Sequence, residues 1–475
     1  MILLLIALII SLFAALSLGL AYMANIEHQI VTHRGTDAQL VQIVQSGIDS
    51  AGQAIDDFQR PDIFDNPALF CSIEVVPGYL TPRNFGAGRF TVYSPRIEEE
   101  QLRGIRFGLT RESAKLSLES VLAWENESPG LGAQALQNLP GINSIIVDSI
   151  LDWLDADDDP RPQGAESDWY RQQGKSYGAR NALIIALEEL LLIREVDRSM
   201  IFGDDHQFAF GGRQANLRHN VILPEGLLDP FAPLDLQVQH YDSQSYDSRG
   251  SASAWQFLLT PYSAEKMVNP QNVVRVFLNE SNLEFLESQL RLHQLDEESI
   301  QFILAWRNVR GRIVSPLDML DAEVKVDEYT TLTSPFSCSD AVMYERFLRL
   351  LDEAVSDSAI IIRGRINVNE APRCVLEAVP ELTPEITSAI LEHRQLGAVR
   401  QRHAVWLLAE GIVDLGMMRT LFRRLTTGGD VYRIHVVGFF EEQPMLHRVE
   451  VVLDATVKPP RTVFYKDLTP LEFPE

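Results

Sequence analysis

The chain opens on 26 residues without a charged side chain, and the run Ile2–Tyr22 is almost entirely Leu, Ile, Ala, Phe and Ser. About 20 apolar residues span a bilayer core as a helix, so the pattern predicts a transmembrane helix over residues 1–26. The rival reading is a cleaved signal peptide, which calls for a basic n-region, a shorter apolar core and a small-residue cleavage site. The chain starts Met-Ile-Leu, and Tyr22 and Met23 stand where small residues belong. The anchor is therefore preferred. Beyond it Leu40, Ile43, Val44, Gly47, Ile48 and Ala51 recur at helical spacing, while Asp37, Gln42, Gln45 and Asp49 face elsewhere. That predicts a stalk helix over 27–60, amphipathic where the anchor is not.

Strand and turn signals follow at 61–112, with the SIEVV run, Pro77-Gly78 and RFTVYSP. Helical patterning fills 113–200. There Leu139-Pro140-Gly141 is a turn before an amphipathic helix, and NALIIALEELLLI predicts a helix starting at Asn181. Residues 201–350 are mixed and turn-rich at first, with SQSYDSRGSASA as an exposed loop. Residues 429–475 carry three strand patterns: VYRIHVVGFF, HRVEVVLDATV and RTVFYK.

An internal repeat orders the helical part. The stretch from Val276 aligns with the stretch from Ile366: Asn279 pairs with Asn369, Leu295-Asp296 with Leu382-Thr383, and Arg307 with Arg394. A weaker copy runs from Leu116 through the Leu139-Pro140-Gly141 turn to Trp153. Each copy predicts a helical hairpin with a polar cap on its second helix. One hairpin lies within 113–200, a second in 201–350 and a third in 351–428.

Charge narrows the function. The 475 residues carry 66 acids against 41 bases, a formal net charge of −25. Nucleic-acid binding is driven largely by Lys and Arg on phosphates, so the balance opposes it. A helix-hairpin-helix nucleic-acid-binding protein is one alternative, but the neighbours of Pro140-Gly141 are Asn138, Asn143 and Asp148, with no base. Cys71, Cys338 and Cys374 are far apart in sequence, with no CxxC pair. They exclude a cysteine zinc site and leave open which pair an oxidising compartment would join.

The densest chemistry lies between Asp148 and Asp168, with eight acids and one base, Arg161. Such a loop wants a cation. Counting Asp155 as first, Asp157 is third, Asp159 fifth and Glu166 twelfth, the carboxylate positions of an EF-hand calcium loop. Pro160 replaces the sixth-position glycine, and Arg161 sits where a backbone carbonyl would coordinate. The reading is an irregular calcium loop, with a merely solvated acidic turn as the alternative. A metal-dependent hydrolase is the other alternative, and it finds no nucleophile or general base nearby. GxSxG, HExxH and Walker motifs are lacking, so the chain is expected not to be an enzyme.

The segment from Leu139 to Ile193 resembles the central part of type II secretion system protein K, also called general secretion pathway protein K. The family's pattern runs from an LPG turn through W-x-D-x-D and G-A-E-S-x-x-Y to N-A and an E-E-L-L helix. Trp153, Asp155, Asp157, Gly164, Ala165, Glu166, Ser167, Tyr170, Asn181, Ala182, Glu188, Glu189, Leu190 and Leu191 stand at those places. INVNEAP from Ile366 and the strands Val431–Val457 resemble its later helical module and closing sheet. It is this family resemblance that makes residues 201–350 an insertion.

The resemblance implies a minor pseudopilin of α+β fold: an N-terminal transmembrane and stalk helix and a pilin-like antiparallel sheet, with inserted helical-hairpin domains of SAM-like or helix-hairpin-helix-like form. It implies calcium near the acidic loop, with Asp155, Asp157, Asp159, Glu166 and Asp168 as candidate ligands. It implies a single pass in the inner membrane with the C-terminal body in the periplasm. The implied partners are two smaller minor pseudopilins in a tip complex, and the major pseudopilin, with no nucleic acid. Pilin-like precursors carry a basic leader ending in Gly, which is not seen here, so processing is expected to differ or the start to lie elsewhere. The apolar run also lacks the carboxylate that most pilin-like subunits place near its beginning. That carboxylate pairs with a neighbour's terminal amine, and a subunit at the tip has no such neighbour; unpaired in lipid it would be costly.

Overall fold

A helix laid along one face of an antiparallel sheet organises the body. The computed structural model describes residues 2–57, 62–81, 85–98, 101–203, 254–394, 401–443 and 445–469, with backbone only at 2–12, 28–29, 32–33, 98 and 101–103. Helix α1, Ile2–Asp56, is continuous. From Leu40 onward its buried stripe is the one the periodicity predicts: Leu40, Ile43, Val44, Ile48 and Ala51 are all 5% exposed or less. Further back Phe13, Leu16, Leu18, Leu20 and Tyr22 stand exposed. Among the described residues no helix is long and apolar enough to cross a membrane. The side chains of the first half of the expected anchor lie outside the described residues.

Strands β1 (Ile73–Val76), β2 (Gly88–Glu98), β3 (Gln101–Arg106) and β4 (Thr110–Arg111) precede the helical part, and β5 (Val431–Phe440), β6 (Leu446–Asp454) and β7 (Arg461–Asp467) follow it. All pairings are antiparallel. Among the described residues they form one seven-stranded sheet, ordered β1-β2-β5-β6-β7, with β3 beside β2 and β4 beside β5. The chain leaves the sheet after β4 and re-enters it at β5, so everything between is an insertion into the sheet's connectivity. Period-two alternation decides the faces. Ile434, Val436, Val449 and Val451 turn towards α1 with Phe90 and Val92, while Arg433, His435 and Glu450 take the other face.

Glycine sets how closely α1 approaches. A Cβ on Gly47 would stand 2.6 Å from Val436 Cγ1, and one on Gly438 would stand 2.9 Å from Val44 Cγ2. Gly47→Ala therefore lowers stability by about 1–3 kcal/mol through overpacking, despite alanine's better helix propensity. Thermal denaturation of the two proteins checks the sign.

The hairpins form as the repeat predicts. Helices α2 (Leu118–Glu127), α3 (Leu131–Gln137), α4 (Ser144–Leu154) and α5 (Ser167–Gln172) lie in the first helical part. The insertion has α6 (Leu283–Leu292), α7 (Glu297–Val309) and α8 (Ala341–Glu353), and the last module α9 (Arg373–Glu377) and α10 (Pro384–His393). The second helix of each hairpin is capped by Asn143, Asp296 or Thr383. Two residues before each cap the backbone turns left-handed, at Gly141, Gln294 and Glu381. The two clearer copies also share their closing contacts. Arg307 donates to the carbonyls of Leu278 and Glu280, and Arg394 to those of Val368 and Ala371. Asn279 bridges to Ile313 and Ser356, and Asn369 to Gln401 and Trp406.

One expected helix does not form. From Asn181 the chain is irregular until a 3-10 turn at Leu187–Leu192. Asn181 itself is left-handed, with φ 50°, and its Nδ2 donates to Asp157 O at 2.6 Å and Asp158 Oδ1 at 3.1 Å. The residue read as a helix cap instead closes the acidic loop. Most of the turn-rich stretch in the insertion, including SQSYDSRGSAS, lies outside the described residues. Cys71 and Cys338 are free thiols.

Candidate metal centre

Helix α4 delivers the acids. Asn143 caps it, accepting from Ile146 N at 2.9 Å, and its apolar face of Ile146, Val147, Ile150, Leu151, Trp153 and Leu154 is buried. Asp152 lies in its last turn, fully buried, and Asp155 ends it. The chain then turns outward through Asp157, whose Oδ1 accepts from Asp159 N at 2.9 Å. It comes back at Arg161 and closes at Glu166, the residue preceding α5.

Three carboxylates converge. Oxygens of Asp155, Asp157 and Glu166 lie within 4.8 Å of one another. Glu166 is 3% exposed, yet both of its carboxylate oxygens lack a hydrogen-bond partner, as does Asp155 Oδ1. Burial, then the charges of Asp152, Asp155, Asp158 and Asp157, push the Glu166 carboxyl up to about 8. A buried carboxyl with two unsatisfied oxygens facing two more acids is costly unless a cation joins it.

Arg161 supplies part of the counter-charge. Its Nη1 lies 2.8 Å from Asp152 Oδ1 and 2.5 Å from Asp155 Oδ2, and its backbone N–H donates to both oxygens of Asp152 at 3.2 Å. None of these contacts reaches Glu166. Burial raises the Asp152 and Asp155 carboxyls, and Arg161 offsets part of that rise.

Of the five expected ligands, the structure brings Asp155, Asp157 and Glu166 together. Asp159 is exposed and meets the group only through its backbone N–H. Asp168 lies in the first turn of α5 and points away: its side chain is 81% exposed and pairs with Arg171 at 3.1 Å. Asp152 did not figure among the expected ligands. Its signal was an acid on the buried face of an amphipathic helix, a place acids avoid unless partnered.

The donors are carboxylate oxygens only, with no His or Cys among them. That set suits a hard cation such as calcium, and the orphaned oxygens of Glu166 and Asp155 are those such an ion would take. The surroundings hold the loop in place. Trp153 Nε1 donates to Glu189 Oε1 at 3.1 Å and packs edge-on against Tyr170. Arg194 reaches the carbonyls of Gln163 and Gly164, each at 3.2 Å. Gly164 has no room for a side chain, since a Cβ there would lie 1.8 Å from Asp152 Oδ2. Gly164→Ala displaces the buried Asp152 and its Arg161 contacts, lowering the melting temperature by an amount equivalent to about 1–3 kcal/mol.

Residues 125–202, which contain this centre, match the family described as type II secretion system (T2SS), protein K. No curated protein matches the chain. Among solved structures, a match is found in the crystal structure of the GspK-GspI-GspJ complex from the enterotoxigenic Escherichia coli type 2 secretion system. It has 9% identity and a TM-score of 0.45, and it covers 92% of this chain and 98% of that chain. The segment that builds the acidic centre thus lies within the stretch similar to the type II secretion system protein K family.

Proposed function

We propose that this chain is a minor pseudopilin that sits in the tip complex of a periplasmic pseudopilus and supports protein export across the outer membrane. The observation that carries the reading is the protein K match over residues 125–202, placed in an insertion to a sheet that packs on a long N-terminal helix. A helix whose second half lies on an antiparallel sheet, and whose Phe13–Tyr22 stretch is apolar and exposed, has the form of a filament subunit. The Phe13–Tyr22 stretch and the apolar residues before it would hold the chain in the inner membrane, with the body in the periplasm. The charge-free run from Ile2 to Ile26 supports a place at the tip, where no neighbour's amine waits for a carboxylate. Two smaller minor pseudopilins, and the major one beneath them, are the partners this reading requires. It is a structural and interaction role, without catalysis.

Calcium belongs to the same proposal. Asp155, Asp157 and Glu166 would hold the ion, which supplies the positive charge that closes the acidic loop. No nucleic-acid role is favoured: Asn138, Asn143 and Asp148 beside the hairpin turn include no base, and the charge balance opposes phosphate.

Deleting the gene in its host tests the reading. Exported proteins should accumulate in the periplasm and return to the medium when the wild-type chain is restored. Unchanged export in the deletion strain would overturn it.

A further inference from the structure

We propose that Arg161 is a resident competitor for the cation site, holding Asp155 when no metal is bound and retreating onto Asp152 when one enters. The inference rests on the calcium reading of the centre and deepens it. The site does not stand on an acidic cluster alone, because Glu166 is 3% exposed with both oxygens unpartnered and groups with Asp155 and Asp157.

The geometry gives Arg161 two carboxylates of unequal hold. Asp152 is held by the Arg161 backbone N–H to both oxygens at 3.2 Å and by Nη1 at 2.8 Å, and it packs so close to Gly164 that a Cβ there would stand 1.8 Å from Oδ2. Asp155 is tied to Arg161 through Oδ2 alone, at 2.5 Å, and its Oδ1 is unpartnered. Asp155 is also the only one of the two that groups with Asp157 and Glu166. The guanidinium and an incoming cation therefore want the same carboxylate. A cation of charge +2 among three carboxylates outweighs one guanidinium, and Arg161 can give up Asp155 without becoming an unpaired charge, because Asp152 remains. Both contacts come from the one nitrogen Nη1, one bond further from the backbone than a lysine's Nζ, so a lysine reproduces them only in part.

Two consequences follow. The calcium-free loop keeps its shape, since Arg161 neutralises part of the cluster. The apparent affinity for calcium is lower than the three carboxylates alone would give, because the ion must displace a bound partner.

The test is calorimetric titration of calcium chloride into the chelator-treated full chain in detergent, comparing wild type, Arg161→Gln and Arg161→Lys, with melting curves for each. Arg161→Gln should bind calcium roughly 5- to 150-fold more tightly, the usual span of a coupling between competing ligands, and melt lower in its calcium-free form. Arg161→Lys should fall between. If Arg161→Gln does not fold, the lysine variant decides, since it too must bind more tightly than wild type. Equal or weaker binding in the variants, with wild type still binding, overturns the competitor role and leaves the calcium reading standing. Absence of binding in all three overturns both. Binding by Arg161→Gln where wild type shows none supports the proposal in its strongest form.

Discussion

Glu112→Gln is expected to lose about 3–5 kcal/mol of unfolding free energy, the usual result of removing one partner from a buried charge group. Glu112 is completely buried where the sheet meets the helical insertion. It accepts from Lys115 Nζ at 2.8 Å, from Arg433 Nε at 2.8 Å and Nη2 at 3.2 Å, and from Thr260 Oγ1. Arg433 also pairs with Glu450 on the neighbouring strand. Burial alone would raise both carboxyls, but Arg433 prevails, aided at Glu112 by Lys115, and holds each at about 2. The variant leaves the largely buried Arg433 and Lys115 short of a counter-charge. The pH dependence follows from the sign. A carboxyl held near 2, against 4.5 in the unfolded chain, contributes stability that is present above 4.5 and lost as pH falls towards 2. Melting curves between pH 6 and 2.5 should fall steeply for wild type and less steeply for the variant, which has one such group fewer.

Calcium at about a hundred times its dissociation constant should stabilise the chain by about 2.7 kcal/mol, and chelation should remove that gain. The effect should vanish in Glu166→Gln, which removes the one carboxylate whose two oxygens have no other partner. The same change should raise the melting temperature of the calcium-free protein at neutral pH, because an amide does not have to take up a proton on folding, as a carboxyl raised to about 8 beside Asp152, Asp155, Asp157 and Asp158 must. Asp168→Asn is the control. That side chain is exposed and paired with Arg171, so its calcium response should match wild type. A calcium-independent melting temperature in wild type would reduce the acidic loop to a solvated turn.

Parts of this architecture are plain in the sequence because a local period carries them. The α1 stripe from Leu40 to Ala51 and the alternation in Val431–Phe440 each report a buried face directly. The hairpins are legible because turn, cap and closing arginine recur at matching places. The rest is set by contacts between distant residues. Pairing of β2 with β5 joins Thr91 to Val437, and no window of sequence contains both. Glu112 and Arg433 meet for the same reason. At Asn181 local propensity was outweighed: its side chain is worth more closing the acidic loop than starting a helix. In the centre, spacing found Asp155, Asp157 and Glu166, since a loop that returns must bring its ends together. It did not separate them from Asp159 and Asp168, whose directions depend on how the loop turns at Pro160 and where α5 begins. Asp152 was hidden because an acid on an apolar helix face looks like an interruption until its arginine is seen.

As a minor pseudopilin of the tip, this chain would assemble with pilin-like partners at the head of a filament. Co-expression of the full chain with the two smaller minor pseudopilins of its own secretion system, followed by purification in detergent with calcium present, tests it most directly. A stoichiometric three-subunit complex in a single peak on size-exclusion chromatography is the expected result. Elution of this chain alone, while the other two remain folded, would contradict it.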